Sequence, residues 1–295
     1  MRVTFDIVRD GLSSITTAAT SLAEAQQQVA SGKRLRGIGD DPLGARLAVG
    51  EHTTIGGVDS YTRSADSASS RLSASDSVLS DVIDKITDAI STTTGARGTT
   101  ADQASRLAAA ETLRGLRDAL ARDINTRFDG TSLFAGTQVG ATAYTQVNGV
   151  WTYQGDNAQV QVEVEKGHRV SVTADGSSIF QGSDPQNVLN VLEGLITAVT
   201  INDQAGMATG VADLQNTFDR ATQAQSRIGT DERGIDDAAS RLSSLRIAAE
   251  TRRSKVEDAN MAQAIVKMNQ ADTAYRAALS AVSQAERQSL LDYLR

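Results

Sequence analysis

The chain has no cysteine, so disulfides, thiolate chemistry and Cys-based metal sites are excluded. That lack suits a protein that crosses unfolded from one compartment to another. Aromatic residues are only 4% of the 295 residues, and much of the 40% hydrophobic content is alanine. Thin helical bundles fit this makeup better than one thick globule. Positive charge is in deficit: 29 Lys and Arg face 36 Asp and Glu, for a formal net charge of -7. Nucleic acid and anionic membrane surfaces are therefore not expected as partners, since binding to either rests on clustered Lys and Arg. No apolar run approaches the length of a membrane span, and the residues from Met1 to Asp6 lack the apolar stretch of a secretory signal. If the protein is exported, a route without a cleaved signal peptide is expected. His52 and His168 are the only histidines, and with no metal-ligand spacing they read as surface polar residues. No cofactor or metal site is expected, and since no nucleophile with an oriented base is recognisable between Thr131 and Gly182, neither is enzymatic activity.

What the chain does have is a matching pattern at its two ends. Leu12, Ile15, Ala19, Leu22, Gln26 and Val29 step by three and four, as do Met261, Ile265, Met268, Asp272, Tyr275, Leu279 and Val282. Each set makes one narrow seam on a helix, and such a seam wants a partner helix. The candidate assembly interface is accordingly Leu12, Ile15, Leu22, Val29, Met261, Ile265, Met268, Tyr275, Leu279 and Val282, buried against each other or against neighbouring copies. The plainer alternative is the core face of a monomeric bundle.

Between the ends, the first helix should run from near Asp6 or Gly11 to Ser31, with Gly32 as its stop. Residues 32–42 form a turn-rich linker in which Asp41 and Pro42 are the cap and first position of the next helix. Adjacent Asp40 and Asp41 read as that cap with a second dipole-favoured charge, not as a metal pair. Gly32, Gly37 and Gly39 lack the strand and the Gly-Lys-Ser/Thr ending of a phosphate loop. The second helix looks uneven at Gly50, Gly56 and Gly57, which read as breaks or bends, then regular through Leu72, Leu79, Ile83, Ile86 and Ile90. A third helix is expected from Thr99 to Arg127. From Thr131 to Gly182 the period becomes two, with Val160, Val162 and Val164 paired across a Lys166-Gly167 turn with Val170 and Val172. Asn148-Gly149 and Asp175-Gly176 are hairpin signals, and Trp151 with its aromatic neighbours should make a small core. Asp184-Pro185 reopens helix, a break is expected over Asn202 to Gly210, a further helix runs to Ile228, and a last helical stretch runs from Asp231 to Leu294. If continuous, that stretch spans on the order of 90 Å. The fold class is mainly α, with terminal coiled-coil helices and a central helical bundle carrying an inserted small β-rich domain. Its expected divisions are 1–42, 43–130, 131–183, 184–257 and 258–295.

Several segments give a more specific signal. Val29-Ala30-Ser31-Gly32-Lys33-Arg34-Leu35 is followed by Asp40-Asp41-Pro42; Asn125 to Gly130 leads into Leu133-Phe134-Ala135-Gly136-Thr137 and then Tyr153-Gln154-Gly155-Asp156. Near the end come Ser254 to Ala259, Ala274 to Leu279 and Ser289 to Leu294. In their joint order these resemble the flagellin superfamily, and within it the hook-associated branch. The resemblance implies a structural protein of the bacterial flagellum: an adaptor at the hook-filament junction, exported unfolded and assembled through its terminal helices outside the cell. Its implied partners are copies of itself in a ring, a neighbouring hook-associated protein, flagellin, the flagellar export apparatus and an export chaperone. The rival readings are a filament flagellin, or a helical adhesin or enzyme with its activity in the strand insertion.

Overall fold

The computed structural model describes residues 2–37, 39–98, 101–138 and 140–293, with side chains between positions 9 and 284. In chain order the elements are α1 (Arg2–Ser31), α2 (Pro42–Ala96), α3 (Gln103–Ile124), β1 (Arg127–Phe128), β2 (Thr131–Ser132), β3 (Tyr144–Val147), β4 (Val150–Tyr153), β5 (Gln161–Glu165), β6 (His168–Ser171), α4 (Gly176–Phe180), α5 (Val188–Ile201), α6 (Gln204–Glu257) and α7 (Met261–Tyr293). The class is mainly α, with three two-stranded antiparallel sheets, β1-β2, β3-β4 and β5-β6. Packing divides the chain into two compact units, Met1–Gly57 with Ser244–Arg295, and Val58–Ser243. Both divisions fall inside long helices, whereas the expected boundaries at 42 and 257 coincide with helix breaks.

In the first unit the local signals act as their chemistry dictates. Gly32 takes φ of 69° and donates its N–H to Gln28 O at 3.0 Å, closing α1. Asp41 Oδ1 accepts from Gly44 N–H at 2.9 Å, capping α2 in front of Pro42. The glycines at 50, 56 and 57 do not interrupt α2, which continues for 55 residues. A glycine inside a helix costs only about 0.5–1 kcal/mol, which packing along such a helix outweighs. The last helical stretch, by contrast, is divided. α6 ends at Glu257, and Asn260 Oδ1 accepts from Gln263 N–H at 3.2 Å to start α7 afresh. Leu294, the expected end of that stretch, lies outside the described residues, as do Thr99 and Thr100 at the expected start of α3.

The second unit has one hydrophobic core. Leu79 and Ile86 of α2, Leu113, Leu120 and Ile124 of α3, Leu189, Leu192 and Leu195 of α5 and Leu214 of α6 are buried in it. Leu133, Phe134, Tyr144, Val164, Val170, Val172 and Phe180 from the strand-rich stretch belong to the same cluster. The expectation of a separate small core is therefore corrected. Two-stranded sheets are too thin to bury both faces alone, and their apolar side chains are completed by the helices. Phe134 meets Phe180 edge-on at 5.3 Å between ring centroids, while Trp151 is only half-buried at the margin. Arg71 of α2 ties the stretch down, donating to Val172 O (2.8 Å), Thr131 Oγ1 (2.7 Å) and Ser132 O (2.8 Å).

Two dipeptide signals mean something other than the sequence suggests. Asn148 (φ 52°) and Gly149 (φ 82°) do close the β3-β4 hairpin, with Val147 opposite Val150. Asp175-Gly176, however, starts a helix: Asp175 Oδ1 accepts from Ser177 N–H at 2.9 Å as the cap of α4. Asp184-Pro185 also fails as a cap, because Asn187 takes that place for α5. Asp184 instead pairs with Arg220 at 2.7 Å. The break expected over 202–210 shrinks to Asn202, which caps α5 in the left-handed region at φ 59°, and Asp203, whose carboxylate accepts from the N–H groups of Ala205 and Gly206.

Candidate assembly interface

α1 and α7 pack antiparallel within the first unit. At one end Gly11 lies against Val282, so closely that an added Cβ would sit 2.8 Å from Val282 Cγ2; at the other, Lys33 bridges to Asp258. The inward face of α1 is Gly11, Ile15, Ala18, Leu22, Ala25 and Val29, and that of α7 is Ala264, Met268, Ala271, Tyr275, Ala278 and Val282, all buried or half-buried. Both step by four and three, and both alternate small with large. In the register set by Gly11 opposite Val282, each small residue falls level with a large one on the other helix. Complementary layers of this kind let two helices close a seam without voids.

The ten residues singled out from the sequence divide into two sets. Ile15, Leu22, Val29, Met268, Tyr275 and Val282 are in the intrachain seam, half-buried. Leu12 (56% exposed), Met261 (42%), Ile265 (44%) and Leu279 (43%) are not; they lie beside it and face outward. Val266, 53% exposed, adds to the uncovered apolar surface, and a shallow groove along α7 runs past it through Thr273 and Ala277. Sequence reasoning missed Ala264, Ala271 and Ala278. Alanine carries little hydrophobic signal, yet its recurrence every seven residues marks the true inward face.

Glu257 was also missed. Its side chain, 10% exposed, accepts a charged hydrogen bond from Lys33 Nζ and lies 3.1 Å from His52 Nε2. Lys33, with help from His52, holds its carboxyl below the ordinary glutamate range. His52 is thus half-exposed but engaged. Asp41 is held down chiefly by the Gly44 N–H of the helix it caps, whereas Asp40 is held down chiefly by the Arg36 N–H in the linker and does not cap α2. Among the described residues no group of three or more His, Cys, Asp or Glu could hold a metal ion.

Models of the bacterial flagellin N-terminal helical region and C-terminal helical region match residues 10–139 and 211–294. The chain belongs to the flagellin family. Both segments that a flagellin shares with it therefore contain the paired helices, while residues 140–210, with β3 to β6, α4 and α5, fall between the matches. Flagellar hook-associated protein 3 of Salmonella typhimurium is 28% identical, over 61% of this chain and 57% of its own length. The protein of that name from Escherichia coli K12 is 24% identical, over 84% of this chain and 78% of its own. Among solved structures, a flagellar hook-associated protein from Vibrio parahaemolyticus superposes with a TM-score of 0.71 at 18% identity, covering 74% of this chain and 100% of that one. At that identity the likeness speaks for the fold.

Proposed function

We propose that this flagellin-family chain is a structural component of the bacterial flagellum, an adaptor at the hook-filament junction that assembles through its terminal helices. The observation that carries the reading is the uncovered apolar set, Leu12, Met261, Ile265, Val266 and Leu279, on a helix pair whose own seam is already filled. Apolar side chains gathered beside a complete seam favour a further helix as neighbour. The names of the two curated relatives favour the hook-associated branch over a filament subunit. Residues 1–42 and 258–295 then form the inner domain of a ring of copies, with a second hook-associated protein on one side and flagellin on the other. The chain works outside the cell and has no enzymatic role. It is delivered through the flagellar export apparatus, with a chaperone.

Deletion of the gene should leave hooks in place and filament subunits leaking into the medium. Leu279→Asp should fail to rescue, because a carboxylate placed in an interface costs several kcal/mol or opens it. The variant monomer should keep its fold, since Leu279 is exposed there. A deletion strain with full-length filaments would refute the junction reading. Long filaments grown by the purified protein alone would favour the filament flagellin.

A further inference from the structure

Two chain crossings meet in the first unit: the linker from α1 to α2 and the break between α6 and α7. Their backbones pair briefly. Arg34 N–H donates to Glu257 O at 2.7 Å, Ala259 N–H donates to Gly32 O at 2.8 Å, and the Arg34 guanidinium reaches Val256 O at 2.8 Å. A bridge this short is marginal by itself. Leu35, next in the chain after Arg34, is buried at 9% exposure, and its N–H also points to Glu257 O at 3.4 Å.

We propose that the Glu257 carboxylate is a latch that joins these two crossings into one hinge, so that both open and close together. The geometry is that of a single carboxylate facing three segments, hydrogen-bonded to two of them and in ionic contact with the third. Lys33 Nζ comes from the linker, His52 Nε2 from α2 at 3.1 Å, and Arg253 Nε from α6 itself at 3.8 Å. The carboxylate is buried while Lys33 and His52 are about half exposed, at 49% and 50%. Removing the acceptor frees the two exposed donors to water and leaves the Arg34 bond to Val256 O as the side-chain support of the backbone bridge. One to two turns away, Arg252 pairs bidentately with Glu51 at 2.7 and 2.9 Å, joining α6 to α2 while touching neither crossing. The latch is thus a property of position, not of ion pairing between the long helices in general. The latch belongs to the folded monomer, whether or not the chain is a junction adaptor.

Amide exchange of the full chain, followed by mass spectrometry at pH 7, tests it. Glu257→Gln preserves volume and removes the charge; exchange should accelerate about tenfold at both crossings, in peptides covering Arg34-Leu35 and in those covering Ala259. Glu51→Gln should leave both unchanged. Lys33→Met should reproduce the paired acceleration, and it carries the test should circular dichroism show that Glu257→Gln does not fold. Acceleration at one crossing only, at neither, or equally in Glu51→Gln would overturn the proposal.

Discussion

Replacing Arg71 by methionine should destabilise helices and strand-rich stretch together. The side chain keeps its length and much of its volume but loses three hydrogen bonds from a charged donor, to Val172 O, Thr131 Oγ1 and Ser132 O. Each such bond is worth roughly 1.5–3 kcal/mol, and removal strands acceptors that are partly buried. The guanidinium is itself only partly buried, and burial pulls its pKa down, so its desolvation cost offsets part of the gain. Allowing for that and for non-additivity, the loss should be about 3 kcal/mol. For a unit of this size that is a fall in Tm of roughly 6–12 °C. Urea unfolding can be followed by fluorescence of Trp151, the sole tryptophan, with amide exchange in α3 and α5 as the second readout. Because Phe134, Tyr144 and Phe180 share one cluster with Leu113, Leu120 and Leu192, both readouts should shift by the same free energy. A Trp151 transition that moves while α3 and α5 keep their protection would refute the shared core. A loss below about 0.5 kcal/mol would refute the clamp.

The α1-α7 seam predicts a contrast: Leu22→Asp should abolish amide protection along both helices in the monomer, whereas Leu12→Asp, on the exposed side, should leave it intact. Equal effects would place the inward face wrongly. Alkaline pH should weaken the second unit. Burial pushes the Tyr144 phenol well above its usual range while its OH donates to Gly176 O at 3.2 Å, and in the unfolded chain it titrates near ~10. The folded value is raised, so this stability is complete below pH ~10 and is lost as pH rises beyond it, by up to about 1.4 kcal/mol per unit. Tyr144→Phe should flatten that fall in urea midpoints measured between pH 9 and 11; an unchanged slope would count against it.

Local chemistry was legible wherever one segment decided the outcome. Asp41-Pro42, Gly32 and Asn148-Gly149 each act within a few residues, and each does what its side chains and φ preferences dictate. The failures share a different cause. Asp-Gly serves a hairpin and a helix cap equally well, and only the approach of Phe134 O to the Gly176 N–H, at 3.1 Å, selects the cap. The α6-α7 break has no glycine or proline; its sole signal is Asn260, an ordinary capping residue that polar surface also explains. Ile15, Leu22 and Tyr275 were recoverable from spacing, but Met261, Ile265 and Leu279 were drawn onto the same seam because large apolar residues outweigh alanine in any hydrophobic pattern. Glu257 was invisible for a physical reason. Its partners, Lys33 and His52, lie more than two hundred positions away in the chain.

The pairing of α1 with α7 sets an order of events. The residues that close the seam on Gly11 are those around Val282, so nearly the whole sequence must be present before the first helix has its companion. Until then α1 is a solitary amphipathic segment, and isolated helices are marginal in water. Contacts of such wide separation are also the slowest to form, because loop closure must precede them. A chain made or delivered one end at a time therefore completes its second unit from continuous sequence while its two ends wait, and a copy truncated before Ala264 never acquires the first unit's seam at all.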